Sequence, residues 1–204
     1  MTFQESGKMK AVTFSYDDGV TQDVQLIQLM NKYGLKGTFN LNSELLGTGY
    51  FLTGPDYRIC HYKIRPEDVK GLYEGHEIAA HTLTHLNLTT LSDEEVIRQV
   101  EQDRLNLSEL AGYEVVGMAY PCGGVNNDDR VAQLIKEHTG IRYCRTTTHN
   151  NSFEVQENLY RFDPTSYHHD FDSITELAHQ LIQSKPDRPQ IFYIWGHSYE
   201  QDFR

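Results

Sequence analysis

Residues 10–19 read Lys-Ala-Val-Thr-Phe-Ser-Tyr-Asp-Asp-Gly, KAVTFSYDDG, an apolar, aromatic and β-branched run that stops at two adjacent carboxylates. Runs of this composition favour a strand. Two like charges side by side need solvent, cations or donors around them. Taken alone, Asp-Asp-Gly ahead of a helix is a turn or a cap. Whether Asp17 and Asp18 are instead half of a site depends on what stands at the ends of the other strands.

Outward from this stretch, strand-like runs alternate with segments of helical period. Further strands are expected at Lys36–Leu41, Glu77–Ala80, Val115–Tyr120, Ile141–Arg145, Leu159–Phe162 and Gln190–Trp195. Thr21–Tyr33 reads as a helix burying Val24, Ile27 and Met30 and stopping at Gly34, a residue that tolerates the left-handed cap conformation. Pro66 opens a short helix with acids in its first turn, where Pro and negative charge are both favoured. Ser92 and Glu95 have capping-box spacing ahead of Val96, Val100, Leu107 and Ala111, and Ser173 and Glu176 repeat it ahead of Ile174, Leu177, Ala178, Leu181 and Ile182. Asn127 is the expected cap of a helix ending before Gly140, and Gly47–Lys63 reads as a Gly- and Tyr-containing loop. Strand–helix alternation implies a mostly parallel sheet. Seven strands without a dinucleotide-type glycine signature favour a small barrel in one domain, with a core at about 10–197, over a Rossmann sheet.

Composition narrows the partners. The 204 residues carry 18 basic and 29 acidic side chains, a formal net charge of −11, and an acidic surface repels polyanions such as nucleic acid. The sequence contains no apolar run long enough to span a membrane. Its first residues, MTFQESGKMK, have no apolar signal core. Cys60, Cys122 and Cys144 are an odd, widely spaced set without a CxxC pair, which suits neither a disulfide scaffold nor a thiolate zinc site. A cytoplasmic location is the expectation, with secretion after removal of a signal as the alternative.

In a parallel α/β barrel the chemistry gathers at the carboxyl ends of the strands, and polar clusters recur there. After Glu77–Ala80 comes HTLTH, His81 to His85; after Val115–Tyr120 comes PCGG; after Leu159–Phe162 comes Asp163, with Arg161 two residues before it; after Gln190–Trp195 comes Gly196-His197. Each alone has an ordinary reading as surface, turn or satisfied polar residue. Together they favour a site. Two neutral imidazoles and one carboxylate make a three-ligand site for a divalent ion with open positions for water and a substrate oxygen. The second aspartate is then free to take a proton from water, and a histidine on another strand can protonate an amine leaving group.

These residues resemble the polysaccharide deacetylases with the NodB-homology domain, carbohydrate esterase family four, over nearly the whole chain from Lys10 to His197. SYDDG is similar to the first family motif, which implies Asp17 as catalytic base and Asp18 as metal ligand. HTLTH is similar to the second, which implies His81 and His85 as the other ligands. AYPCG, with Tyr120, Pro121 and Cys122, is similar to the third, which implies a backbone N–H at Cys122 for the oxyanion. WGH is similar to the fifth, which implies His197 as general acid and Trp195 as lining of the acetyl pocket. The resemblance further implies a distorted (β/α)7 barrel, one divalent metal ion, Zn2+ by default with Co2+, Ni2+ or Mn2+ filling the same geometry, and hydrolysis of N-acetyl groups from N-acetylglucosamine-containing saccharides with release of acetate. A hydrolase of small amides or cyclic imides on the same fold and a catalytically inactive saccharide-binding barrel are the alternatives. Two departures stand out. The third motif's arginine is replaced by Ala119, and the fourth motif survives only loosely in RFDPT. Arg161 or Asp163 is therefore expected to take over the orienting of Asp17 or His197. Tyr50 and Tyr57 are expected to offer stacking faces for sugar rings.

Overall fold

The computed structural model describes residues 7–203. The strand that opens the chain, β1 (Lys10–Asp17), lies near the middle of a parallel sheet with β2 (Gly37–Leu41), β5 (Glu77–Ala80), β6 (Gly117–Ala119), β7 (Tyr143–Arg145), β8 (Ser166–Tyr167) and β9 (Gln190–His197). The order of the seven strands is β7-β6-β5-β2-β1-β9-β8. Among the described residues five helices, α1 (Asp23–Lys32), α2 (Val69–Leu72), α3 (Asp93–Ala111), α4 (Asp129–His138) and α5 (Phe171–Gln183), connect or flank them. Among the described residues no helix is long and apolar enough to cross a membrane.

One contact demonstrates that the sheet is curled. Arg145 ends β7 and Asp17 ends β1, with β6, β5 and β2 between them. Four inter-strand steps amount to ~19 Å in a flat sheet, beyond the reach of a single side chain. Yet Arg145 Nη2 lies 2.6 Å from Asp17 Oδ2. The sheet therefore bends into an incomplete barrel, consistent with the distorted (β/α)7 form. Its open side is bridged by the segment after β7, where Phe162 N donates to Cys144 O at 2.9 Å and Thr165 N to Tyr193 O at 2.7 Å.

Local signals explain most of the elements. Ser92 caps α3 through Glu95 N, and Gly112 ends that helix at φ 78°, a conformation glycine adopts without a Cβ clash. The outer faces of the sheet pack against apolar helix stripes: Leu26, Ile27 and Met30 from α1, and Val96, Val100 and Leu107 from α3, join Phe39, Leu41 and Ile78 in the main core. A second cluster under α5 joins Leu177 and Leu181 to Phe192 and Ile194.

The structure departs from the sequence reading in several places. Val24 is 39 % exposed and Ile182 73 % exposed, because the buried stripes of α1 and α5 are turned away from them. Helix α4 is capped by Asp128, whose Oδ1 accepts from Val131 N at 2.7 Å, one residue after Asn127. Helix α5 begins at Phe171, ahead of Ser173. Leu159–Arg161 is a 3-10 turn, held by Asn158 Oδ1 accepting from Tyr160 N at 3.1 Å, so that only Phe162 of the expected strand pairs, with Arg145. The expected loop at Gly47–Lys63 is an antiparallel hairpin of β3 (Gly49–Thr53) and β4 (Arg58–Tyr62). Its alternation was hidden because both faces carry aromatics. Tyr50, Leu52 and His61 face the barrel mouth, whereas Phe51 is 3.8 Å from Arg58 and edge-on to Tyr62 on the other side.

Candidate active site

The register of the sheet assembles the site. Asp17 pairs with Asn40 on β2 and with His197 on β9, and Ala119 pairs with Arg145, so these residues stand at or next to the carboxyl ends of their strands. Beyond them the chain turns sharply. Asp18, Thr82, His85 and Cys122 all have positive φ, at 82°, 67°, 60° and 67°. For a β-branched residue such as Thr82 this conformation is costly, and backbone strain of this kind concentrates where a site is being shaped. The result is a cleft of about 390 Å³ at the carboxyl ends of the strands, lined among others by Asp17, Asp18, His81, His85, Cys122, Trp195 and His197.

Asp17 is 2 % exposed and tightly held. Arg145 Nη2 donates to both of its oxygens, and Asn40 Nδ2 donates to Oδ1 at 2.8 Å. Burial alone would raise this carboxyl, but Arg145, His81 and His197 outweigh it and leave it below the usual range. Arg145 is itself wholly buried. Its Nε donates to Ser15 Oγ at 3.2 Å and its Nη1 to Thr146 O at 2.9 Å, and its guanidinium lies 4.6 Å from the Trp195 ring centroid. Ala119, its register partner, leaves room for a guanidinium arriving from the next strand.

Asp18, His81 and His85 each offer one ligand atom, and those atoms lie within 4.8 Å of one another. His81 Nδ1 donates to Ala119 O at 2.8 Å, which fixes the tautomer and leaves the Nε2 lone pair for an ion. Asp103 of α3 supports the same loop by accepting from His81 N at 2.9 Å and Ser43 N at 2.7 Å. Burial pushes His81 down to about 4, against the pull of Asp17, and burial also lowers His85. Neutral imidazoles and an ionised carboxylate are the protonation states that metal ligation requires. This donor set fits a divalent ion.

Two further groups surround Asp18. Lys63 Nζ lies 3.0 Å from Asp18 Oδ1, and His61 Nε2 lies 3.3 Å from Oδ2. Burial would raise the Asp18 carboxyl, but His61 and Lys63 outweigh it and hold it well below its ordinary value. His61 is stacked on Tyr50, with centroids 4.8 Å apart, and meets Tyr199 edge-on. Neither His61 nor Lys63 was anticipated from sequence. The signal that could have found them was the alternation of β4, which puts residues 61 and 63 on one face.

On the opposite wall, burial works against a charged His197, but Glu200, Asp17 and Asp18 outweigh it and raise its pKa. Glu200 Oε1 is 3.3 Å from His197 Nδ1, and its Oε2 accepts from His197 N at 3.1 Å. Trp195 is buried, and its Nε1 has no hydrogen-bond partner among the described residues. The Pro121–Cys122 turn is held by Asn126 Nδ2, which donates to Pro121 O at 3.0 Å and to Cys122 O at 2.7 Å. Tyr120 lines the cleft and donates through its hydroxyl to Tyr160 O at 2.8 Å.

Arg161 and Asp163 do not join this group. Arg161 Nη1 is 2.6 Å from Asp129 Oδ1, and its Nε donates to Asn127 Oδ1 at 2.8 Å. The 3-10 turn aims Arg161 at the first turn of α4, where acceptors await it, so the expectation that it orients Asp17 is corrected in favour of Arg145. Asp163 accepts from the Thr146 hydroxyl, and its N–H donates to Gln156 Oε1 at 2.9 Å. It braces the chain that follows Arg145. Tyr57 likewise packs away from the cleft, against Phe203.

A family model described as polysaccharide deacetylase matches residues 4–144. The chain is 27 % identical over 124 residues to the peptidoglycan-N-acetylmuramic acid deacetylase PdaC of Bacillus subtilis, an alignment covering 59 % of this chain and 23 % of that protein. Its fold is similar to that of BC0361, a polysaccharide deacetylase from Bacillus cereus, with a TM-score of 0.59, 18 % identity and coverage of 80 % of this chain and 50 % of the other. It is also similar to BA3943 of Bacillus anthracis, a carbohydrate esterase family four pseudoenzyme, with a TM-score of 0.56, 16 % identity and coverage of 96 % and 57 %. The chain thus spans under a quarter of the curated relative and about half of the B. cereus structure. At such identities the structural likeness carries the fold alone, and the pseudoenzyme shows that the fold does not guarantee turnover. Since the family model covers well over half of the sequence, the chain belongs to the polysaccharide deacetylase family of NodB-homology, metal-dependent carbohydrate esterases.

Proposed function

We propose that this protein is a metal-dependent N-deacetylase that releases acetate from N-acetylglucosamine-containing saccharides. The observation that carries this reading is the division of labour around Asp17 and Asp18. One carboxylate is pinned by Arg145 and Asn40, the other stands among His81 and His85, and His197 faces both from β9.

Asp18, His81 and His85 would hold a divalent ion, zinc by the chemistry of the donors, which would supply Lewis acidity and lower the pKa of water. Asp17 is the base that takes a proton from the attacking water. Paired with arginine it is a weak base, so its contribution is chiefly position: the hydrogen bonds from Arg145 and Asn40 leave the carboxylate one orientation. The Cys122 N–H, presented by a left-handed turn, stabilises the oxyanion. The Trp195 ring, which lines the cleft, bounds the space for the acetyl methyl. His197, kept protonated by Glu200, gives its proton to the departing amine. Tyr50, 56 % exposed on the hairpin at the rim, offers an aromatic face to a sugar ring.

The deciding experiment measures acetate released from chitooligosaccharides, peptidoglycan fragments and small N-acetyl compounds, before and after chelation and after metal is restored. Release from the saccharides that stops with chelator and returns with metal is the expected result. No release from any saccharide by metal-loaded protein would overturn the proposal.

A further inference from the structure

A second group of metal-type donors lies behind His197. His168 and His169 follow β8 directly, and their imidazoles meet the Glu200 carboxylate in the 3-10 turn after β9. The three donor atoms lie within 4.8 Å of one another. His168 Nε2 is 2.7 Å, and His169 Nε2 4.0 Å, from Glu200 Oε2. Donors about 2.0–2.2 Å from a tetrahedral ion stand ~3.3–3.6 Å apart, so a small opening at His168 and a small closing at His169 would admit one.

We propose that His168, His169 and Glu200 form a second divalent-cation site, suited to zinc, that competes with His197 for Glu200. Its donor set, two imidazoles and one carboxylate, matches what zinc takes with an open coordination position. The position of His168 is built into the sequence: a Cβ on Gly196 would stand 2.3 Å from His168 Cδ2, so the glycine of Trp-Gly-His leaves the space that the imidazole fills. His168 N also donates to Trp195 O at 2.8 Å, and its ring packs edge-on against Tyr16, with centroids 5.6 Å apart. His169 is the exposed ligand, with its side chain 41 % accessible, which gives an ion a way in. The donors border a groove of about 770 Å³ that includes neither Asp17 nor Asp18.

The carboxylate links the two sites. The Oε2 that would ligate the ion now accepts from His197 N at 3.1 Å, and Oε1 is 3.3 Å from His197 Nδ1. An ion drawing on Glu200 weakens its hold on the acid that the proposed function requires. Zinc beyond one equivalent therefore slows turnover. That consequence rests on the proposed role of His197, but the binding itself does not.

The test titrates zinc into metal-free, tagless full-length protein and counts bound equivalents by calorimetry and metal analysis. Wild type is expected to bind two. His81→Ala should lose one of them. His169→Ala should lose the other, or bind it more than about 100-fold more weakly, since loss of a ligand exceeds the 10–100-fold that outer-shell partners cost. The far-ultraviolet circular dichroism and melting of His169→Ala should match wild type, and a His169→Gln variant repeats the measurement if they do not. With one equivalent of zinc, His169→Ala should turn over like wild type, and it should escape the inhibition that further zinc imposes on wild type. A wild type that binds a single equivalent, or a second equivalent indifferent to both His169 substitutions, would overturn the site. Two equivalents bound without inhibition would overturn its link to His197. A protein inactive at every zinc level fails the proposed function, while the stoichiometry still decides the site.

Discussion

Arg145, at the end of β7, donates through Nη2 to Asp17, at the end of β1, with 2.6 Å to Oδ2, and both side chains are buried. The guanidinium absent at Ala119 is thus supplied by the neighbouring strand at the same register level. Removing one member of a buried ion pair leaves an uncompensated charge, which costs about 3–5 kcal/mol. Arg145→Met should therefore lower the unfolding free energy by about that amount. Arg145→Lys, which keeps charge but not the forked geometry, should retain the fold and bound metal while turnover drops by about 10²-fold. Urea denaturation together with initial rates checks both. An Arg145→Lys enzyme as fast as wild type would remove Arg145 from the mechanism.

The two opening carboxylates should respond differently to the same change. Asp17→Asn preserves volume and the contact with Asn40, so metal remains bound while turnover falls by about 10²–10⁴-fold, the usual worth of a general base. Asp18→Asn should weaken metal binding first, because an amide oxygen is a poorer ligand. Metal analysis beside rate measurements separates them. Identical behaviour in the two variants would contradict the assignment.

Lys63 and an ion at the proposed metal site would share the Asp18 carboxylate. With Lys63 Nζ 3.0 Å from Oδ1, the ammonium opposes an arriving cation, a repulsion of a few kcal/mol at an effective dielectric of about 20. Lys63→Met should therefore tighten zinc binding at least about tenfold in competition with a chromophoric chelator. His85→Ala should abolish tight binding. Weaker binding in Lys63→Met would mean that the ammonium organises the ligands instead.

The pH profile should have its alkaline limb set by His197. Glu200 and the site aspartates raise its pKa above the ordinary 6.5, so the protonated acid persists through that pH and is lost as pH rises through the raised value. Glu200→Gln removes a negative charge that favours the protonated form and leaves burial to act against it. The alkaline limb must then move to lower pH. The acidic limb is governed instead by His81 and His85, whose pKa values burial depresses, so metal should stay bound until well below pH 6.5. Rates and bound metal measured across the same pH series test the two limbs separately. An alkaline limb unmoved in Glu200→Gln would show that another group sets it.

The local and periodic features of the chain are legible in its residues. Apolar runs and helical stripes between caps specify strand–helix alternation and hence a parallel sheet, and the rule that such sheets place chemistry at their carboxyl ends groups Asp17, Asp18, His81, His85, the turn at Cys122 and His197. The same rule also gathers Arg161 and Asp163, which the fold turns away, and Trp195 joins the group through the family resemblance alone. Features that depend on curvature and register emerge only in the folded chain. Arg145 sits 128 positions from Asp17, and no spacing announces a contact that exists because the sheet bends through four strand steps. Arg161 looked suitable because it is near Asp163 in sequence, but a 3-10 turn aims it at α4 instead. His61, Lys63 and Glu200 were invisible for the same reason. Each lies in a short, irregular or two-faced segment, where one residue of register decides whether a side chain meets the cleft or the solvent.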